Sequence, residues 1–377
     1  MPLRIGINAL YLLPGKVGGS ETYIRNLVKW LPLAEGGNSY TIFVNNESSG
    51  VFKESTRVEV VDCGINAGNR PKRILWEQTR LPVEAKRRKL DVLLSAGMTA
   101  PFVSSVPSFV VIYDLQHVNQ PENFGKLYLF FLKAIIYMSA RRSRGVITLS
   151  EKSKRDIVSV YGIRAEDVGV ARLACDTDSF RKHTKAEIAS VRAKYKLPER
   201  YILYSASSLP HKNYQRLLEA FKIVKGRDAG IKLVLTGARD YGQEAILDKI
   251  GSLGLKDDVV FLGWLPFEDM PMIYSAAELY VFPSLHEGFG IPVLEAFASG
   301  VPVVCSRIEP VTEVAGDAAF YIDPMSAEEI AGGILTVLND KALRKRLTSK
   351  GTTRAREFSW KKTATDTLAI IERSLAR

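Results

Sequence analysis

Two glutamates eight positions apart, Glu287 and Glu295, stand in the segment HEGFGIPVLEAFASGVPVV (residues 286–304). Gly288 and Gly290, flanking Phe289, permit backbone shapes closed to other residues and let a ligand approach closely. Pro292 suits the first turn of a helix. The N–H groups ahead of it form an unpaired, positive helix end, suited to an anion such as a diphosphate. From the loop, Glu287 can hold sugar hydroxyls. From about one turn into the helix, Glu295 can hold a vicinal diol, such as that of a ribose, through paired charge-assisted hydrogen bonds. The plainer alternative is a glycine turn leading into a helix with two surface glutamates.

Three further segments carry chemistry. In SSLPHKNYQRLLEAF (207–221), Lys212 is a mobile point charge for phosphate oxygens. His211 adds a hydrogen bond or a charge that depends on pH, and Asn213 is expected to cap a helix. In GKVGGSETYIRNL (15–27), Gly18 and Gly19 precede a helix opened by Ser20 or Glu21. The dinucleotide fingerprint G-x-G-x-x-G is absent, which argues against an NAD enzyme. In VVIYDLQHVNQPENF (110–124), Tyr113, Asp114 and His117 follow a strand-like run.

These segments need elements to position them. Apolar runs of four to seven residues at 4–10, 40–45, 91–95, 108–114 and 145–150 alternate with helix-periodic stretches such as 20–31. A second series follows at 201–206, 231–237, 258–263, 279–284 and 301–306. Such alternation predicts an α/β chain with two parallel, doubly wound sheets. The break falls in the polar stretch 175–197, which gives domains over 1–175 and 176–357, with 358–377 as a final amphipathic helix. Ligands of such sheets bind at the carboxyl ends of the strands, so the expected site is a cleft between two facing domains.

The 377 residues are 46% hydrophobic and 25% charged, which suits two globular domains and neither disorder nor a membrane span. Cys63, Cys175 and Cys305 are scattered, which fits a reducing compartment. No signal-peptide pattern opens the chain, so a cytoplasmic location is expected. Of the +11 net charge, +9 lies in residues 1–175. No nucleic-acid-binding motif accompanies it. The segment KLYLFFLKAIIYMSARRSR (126–144) reads either as a buried helix with a solvated basic end or as a face resting on an anionic membrane at the inner side of the cell membrane.

The E-x7-E pattern at Glu287 and Glu295 resembles the signature of the retaining glycosyltransferases of family four, group 1, which have the GT-B fold, and the resemblance covers essentially the whole chain. It implies two facing Rossmann-like domains, the first for the acceptor and the second for a nucleotide-sugar donor, with the last helix crossing back to the first. It gives Glu287 the donor sugar, Glu295 the ribose, and His211, Lys212 and Asn213 the diphosphate, with Gly288, Phe289 and Gly290 around it. Gly18 and Gly19 match the family's N-terminal glycine loop, which faces the donor phosphates and the acceptor across the cleft. Relatives often read His-Asp-Leu-x-His where this chain has Tyr113, Asp114, Leu115 and His117, so Tyr113 or His117 takes the first histidine's place on the sugar side. The catalytic candidates are Glu287, His117 and Lys212. Asp176 and Asp178 resemble the metal-binding Asp-x-Asp of another glycosyltransferase fold but lie at the hinge, so no metal and no other cofactor is expected. The His-Lys-Asn variant resembles bacterial mannosyltransferases and favours GDP-mannose as donor, with a growing polysaccharide or a lipid-linked saccharide as acceptor. A UDP-sugar-dependent transferase, an epimerase of the same architecture and an inactive nucleotide-sugar-binding subunit are the alternatives.

Overall fold

Short apolar strands, buried on both faces, pair in parallel throughout this computed structural model, which describes residues 2–16, 18–237 and 242–377. The chain divides into a first unit of Met1–Leu173 with Trp360–Arg377 and a second of Ala174–Ser359.

In the first unit the strands are β1 (Arg4–Asn8), β2 (Ser39–Val44), β3 (Val58–Asp62), β4 (Val92–Ser95), β5 (Ser108–Val111), β6 (Gly145–Thr148) and β7 (Val168–Val170). They lie in the order β3-β2-β1-β4-β5-β6-β7. Every residue of β4, β5 and β6 is buried, as a parallel sheet covered on both faces requires. The helices of this stretch are α1 (Gly19–Trp30), α2 (Arg70–Arg87), α3 (Gln116–Asn119), α4 (Lys126–Arg142) and α5 (Glu151–Tyr161).

The second unit has β8 (Tyr201–Ser205), β9 (Lys232–Thr236), β10 (Val259–Gly263), β11 (Leu279–Phe282), β12 (Val303–Ser306) and β13 (Phe320–Ile322), in the order β10-β9-β8-β11-β12-β13. Its helices are α6 (Lys185–Tyr195), α7 (Tyr214–Lys225), α8 (Gln243–Ser252), α9 (Met270–Ala276), α10 (Ile291–Ala298), α11 (Val311–Ala315), α12 (Ala327–Asn339) and α13 (Lys341–Ala355).

The last helix, α14 (Trp360–Leu375), is amphipathic and packs on α1, β6 and β7. Thr363 donates to the Arg172 carbonyl at 2.6 Å, and the Arg144 guanidinium donates to the Ser374 carbonyl at 2.9 Å. Asp176 serves its own turn: its carboxylate accepts from the Ser179 hydroxyl at 2.7 Å and from the Asp178 amide at 3.2 Å.

Helix α4 corrects the buried-helix expectation. Only Ile136, Ser139 and Ala140 on it are buried. Phe130 and Phe131 are 67% and 62% exposed, and Leu127 stands out beside them. Among the described residues, no helix is long and apolar enough to cross a membrane.

Helix α10 carries Glu295, and α13 fixes where it lies. A Cβ on Gly351 of α13 would sit 2.5 Å from the Phe297 ring of α10, so the two helices meet at a distance only glycine allows. Gly351→Val should destabilise the second unit by about 1–3 kcal/mol through overpacking. Urea unfolding measures this, and an unchanged midpoint would show that the helices have room to spare.

Candidate functional site

The second unit gathers most of the expected residues at the carboxyl ends of β8 and β11. After β8 the chain turns through Pro210–Lys212 and enters α7 from Asn213, whose φ of 62° lies in the left-handed region. Asn213 occupies the N-cap position, but its side chain does not cap α7 as expected. Its amide instead donates to the Pro283 carbonyl at 2.9 Å and the Pro324 carbonyl at 2.8 Å. That ties the turn after β8 to the loops after β11 and β13. The Leu285 amide donates to the His211 carbonyl at 2.8 Å, and the Tyr204 hydroxyl to the Lys212 carbonyl at 2.6 Å. The two loops are thereby strapped together.

Across the strap, Lys212 Nζ donates to Glu287 Oε1 at 2.7 Å, with the two side chains only 16% and 10% exposed. Gly290, at φ 111°, stands at the N-cap of α10 without a capping side chain. Pro292 in the first turn has no N–H and the Val293 amide donates to the Gly290 carbonyl at 3.0 Å, so among the described residues this helix start leaves the Gly290 and Ile291 amides for a ligand. Gly288 lies in the same loop. Phe289 differs from expectation: its ring is buried edge-on against Phe358, so only its backbone can meet a ligand.

Burial moves two ionisable groups here in opposite senses. It lowers the His211 imidazole to about 4, with Lys212 adding to the effect. The pH-dependent charge expected of His211 is therefore absent near neutrality, where the ring is neutral. Burial raises the Glu295 carboxyl to about 7, opposed only by the Tyr274 hydroxyl. The sequence reading passed over His286, whose ring meets His211 edge-on and whose buried Nε2 has no hydrogen-bond partner among the described residues. Its place immediately before Glu287 was the available signal.

The first unit places the rest on its own. Gly18 and Gly19 lie exposed after β1; Val17 is outside the described residues. The helix begins at Gly19 from a Gly18 cap at φ 56°, earlier than Ser20 or Glu21. Glu21 closes the loop by accepting from the Gly15 amide at 2.7 Å, and Arg25 holds it at 2.7 Å.

The Tyr113 hydroxyl donates to the Ala96 carbonyl at 2.5 Å and lies 3.0 Å from the Tyr11 hydroxyl. Burial pushes it well above the usual tyrosine range. Asp114 accepts from the Gln116 amide at 3.0 Å, making a local turn. His117 is 2% exposed, with Nε2 2.9 Å from the Tyr161 hydroxyl, and burial lowers its ring to about 4. The structure thus gives His117 a place in the core, where no substrate reaches it. Sequence reading also missed a buried pair, Arg73 and Glu77 (3.3 Å), with Glu77 accepting from Thr99 at 2.8 Å. Their i,i+4 spacing suggests an ordinary surface pair on a helix.

Comparison with known proteins adds to this geometry. Residues 17–179 match the family model for Glycosyltransferase Family 4, and residues 187–354 that for Glycosyl transferases group 1. O-antigen chain mannosyltransferase B of Escherichia coli is 32% identical over 259 residues, 68% of this chain and 68% of that one. O-antigen chain mannosyltransferase RfbU of Salmonella typhimurium is 29% identical over 250 residues, 66% of this chain and 65% of that one. Sucrose-phosphate synthase of Thermosynechococcus elongatus superposes with a TM-score of 0.79 over 99% of both chains, at 19% identity. These are likenesses of family and fold.

The Glu295 shift has a testable sign. Its folded value lies above that of the unfolded chain. The stability it contributes is therefore complete below about pH 4 and is lost as pH rises through 7. Glu295→Gln removes that loss. Between pH 5 and 8 the variant should gain on the wild type by on the order of 2 kcal/mol in urea unfolding. An equal difference at both pH values would contradict the raised carboxyl.

Proposed function

This chain belongs to the group 1 glycosyltransferases of family four, enzymes of the GT-B fold, and from that premise we propose that it transfers mannose, with retention, from GDP-mannose to a glycan or lipid-linked saccharide. The Lys212–Glu287 pair beside the start of α10 carries the reading. The mannosyltransferases among its relatives support the sugar and, with the His-Lys-Asn variant, the donor.

The donor occupies the second unit. Its diphosphate draws Lys212 from Glu287 and meets the N–H groups at Gly290 and the start of α10. His211, neutral, gives it a hydrogen bond and no charge. Glu287, released from Lys212, orients the sugar hydroxyls, and Glu295 holds the ribose diol. The leaving diphosphate is stabilised by Lys212 and the helix end, positive groups already in place, so the reaction needs no metal. The acceptor belongs to the first unit, where Gly18, Gly19, Tyr113 and Asp114 stand at strand ends. Attack comes from the face the diphosphate leaves, with its oxygen taking the acceptor proton, and no glycosyl-enzyme intermediate forms.

Calorimetric titration of GDP-mannose, UDP-glucose, UDP-N-acetylglucosamine and ADP-glucose in EDTA tests this directly. GDP-mannose should bind in the micromolar range, and Glu295→Ala should weaken it roughly a hundredfold, as loss of a paired charge-assisted contact implies. Preference for a UDP-sugar would replace the donor. Binding of none would remove the site. Mannose transfer surviving EDTA, with no trapped adduct, tests metal independence and retention without a covalent intermediate.

Lipid attachment of the acceptor draws support from α4. Leu127, Phe130 and Phe131 stand on one exposed face, with Lys126 at its start and Arg141 and Arg142 at its end. The protein should float with vesicles containing anionic lipid and not with neutral ones. Phe130→Ser/Phe131→Ser should abolish flotation; equal recovery with both vesicle types would remove the membrane contact.

A further inference from the structure

A groove of about 700 Å³ opens at the start of α2, lined by Asn46, Asn66, Asn69, Lys72, Gly64 and Gly68 among others. None of these residues has a part in the donor site, which lies in the other unit. Asn46 follows β2 by two residues and Gly64 follows β3 by two, so the groove sits at the carboxyl edge of its sheet. The loop carrying Gly18 and Gly19 leaves that same edge from β1. With the order β3-β2-β1 and strands about 4.8 Å apart, the groove lies roughly 5–10 Å along the edge from β1. Buried Asn45 links the two places. Its amide donates to the Leu10 and Leu12 carbonyls of the β1 loop, both at 2.8 Å, while its neighbour Asn46 faces the groove.

The chemistry of the lining is that of hydroxyl recognition. Asn66 turns its oxygen inward to accept from the Asn69 amide at 3.2 Å, and Asn69 accepts from the Lys72 amide at 3.3 Å. Each side chain is thereby fixed with its NH₂ outward. Among the described residues neither NH₂ has a hydrogen-bond partner, and both residues are exposed. Asn69 already caps α2, so the helix start is not the recognition element. Glu47 accepts from the Ala67 amide at 3.0 Å, and a carboxylate there discourages an anion. Gly64 and Gly68 let a ring approach the main chain, and Ile65 and Pro71 offer apolar surface to its C–H face. Fixed amide donors, one lysine and small apolar patches suit a neutral saccharide.

We propose that this groove is an acceptor subsite, holding the sugar units behind the one that receives the new residue. The proposal rests on the glycosyltransferase reading above and adds where the acceptor chain runs. An extended acceptor gains from it, and a single sugar does not.

NMR titration of the full ²H,¹⁵N-labelled chain with α-linked mannobiose, mannotriose and N,N′-diacetylchitobiose tests it. At least one probe should shift the backbone amides of Asn46, Ile65, Asn66 and Gly68. Asn66→Asp and Asn69→Asp keep the inward oxygen of each turn and remove the outward donor. Together they should weaken that probe about tenfold, the loss of two ordinary hydrogen bonds. Shifts confined to other residues, no binding of any probe, or unchanged affinity in the double variant each overturn the subsite. GDP-mannose titrated into the same samples separates the two readings. Donor binding with an empty groove removes the subsite alone, whereas loss of donor binding as well removes the functional reading beneath it.

Discussion

The pairing of Lys212 with Glu287 is the constraint around which the second unit is arranged. Two charges held 2.7 Å apart and largely out of water are stable only together, because either left alone would be an uncompensated charge in a poor solvent. Keeping them together requires the turn after β8 and the loop after β11 to hold a fixed separation. The Leu285–His211 backbone bond and the reach of Asn213 to Pro283 supply that rigidity. A ligand anion that takes Lys212 must therefore offer Glu287 something in return. On the reading proposed above, sugar hydroxyls do so, and the pair is a rest state that a nucleotide sugar replaces on both sides at once.

Much of this was legible in the sequence because parallel strands buried on both faces leave plain apolar runs. The missed strands, β3, β7 and β13, all lie at sheet edges. There one side lacks a neighbouring strand, residues of β3, β7 and β13 are only partly buried, and the apolar signal is diluted. The E-x7-E pattern and the Lys212 turn could be read because glycines, proline and charges mark loops directly. What Asn213 does could not be read: its spacing before α7 gives a cap, and only the fold brings Pro283 and Pro324 within its reach. The same holds for Phe289, whose place between two glycines suggests a ligand and whose ring is taken by Phe358.

In the first unit, a lone histidine's fate depends on tertiary packing that no local pattern carries. His117 goes to Tyr161 in the core. Tyr113 fills its position by donating to Ala96 beside Tyr11, and Gly97 is needed there because a Cβ would lie 2.5 Å from the Tyr11 ring. Tyr113 is therefore built into the strand ends through Ala96 and Tyr11. Burial keeps the Tyr113 hydroxyl protonated.

Charge at the proposed donor site follows from the same burial. His211 is held neutral and Lys212 is matched by Glu287, so the loops present little net charge before a ligand arrives. Glu295 is the remaining acid, and its raised carboxyl is partly protonated near neutrality. A fully ionised carboxylate one helical turn from the α10 start would repel an incoming diphosphate. A carboxyl poised near 7 limits that repulsion and still becomes an acceptor once a ribose diol supplies two hydrogen bonds that favour its charged form. On the reading proposed above, the nucleotide brings with it the interaction that ionises Glu295, and the burial that raises its carboxyl couples the two events.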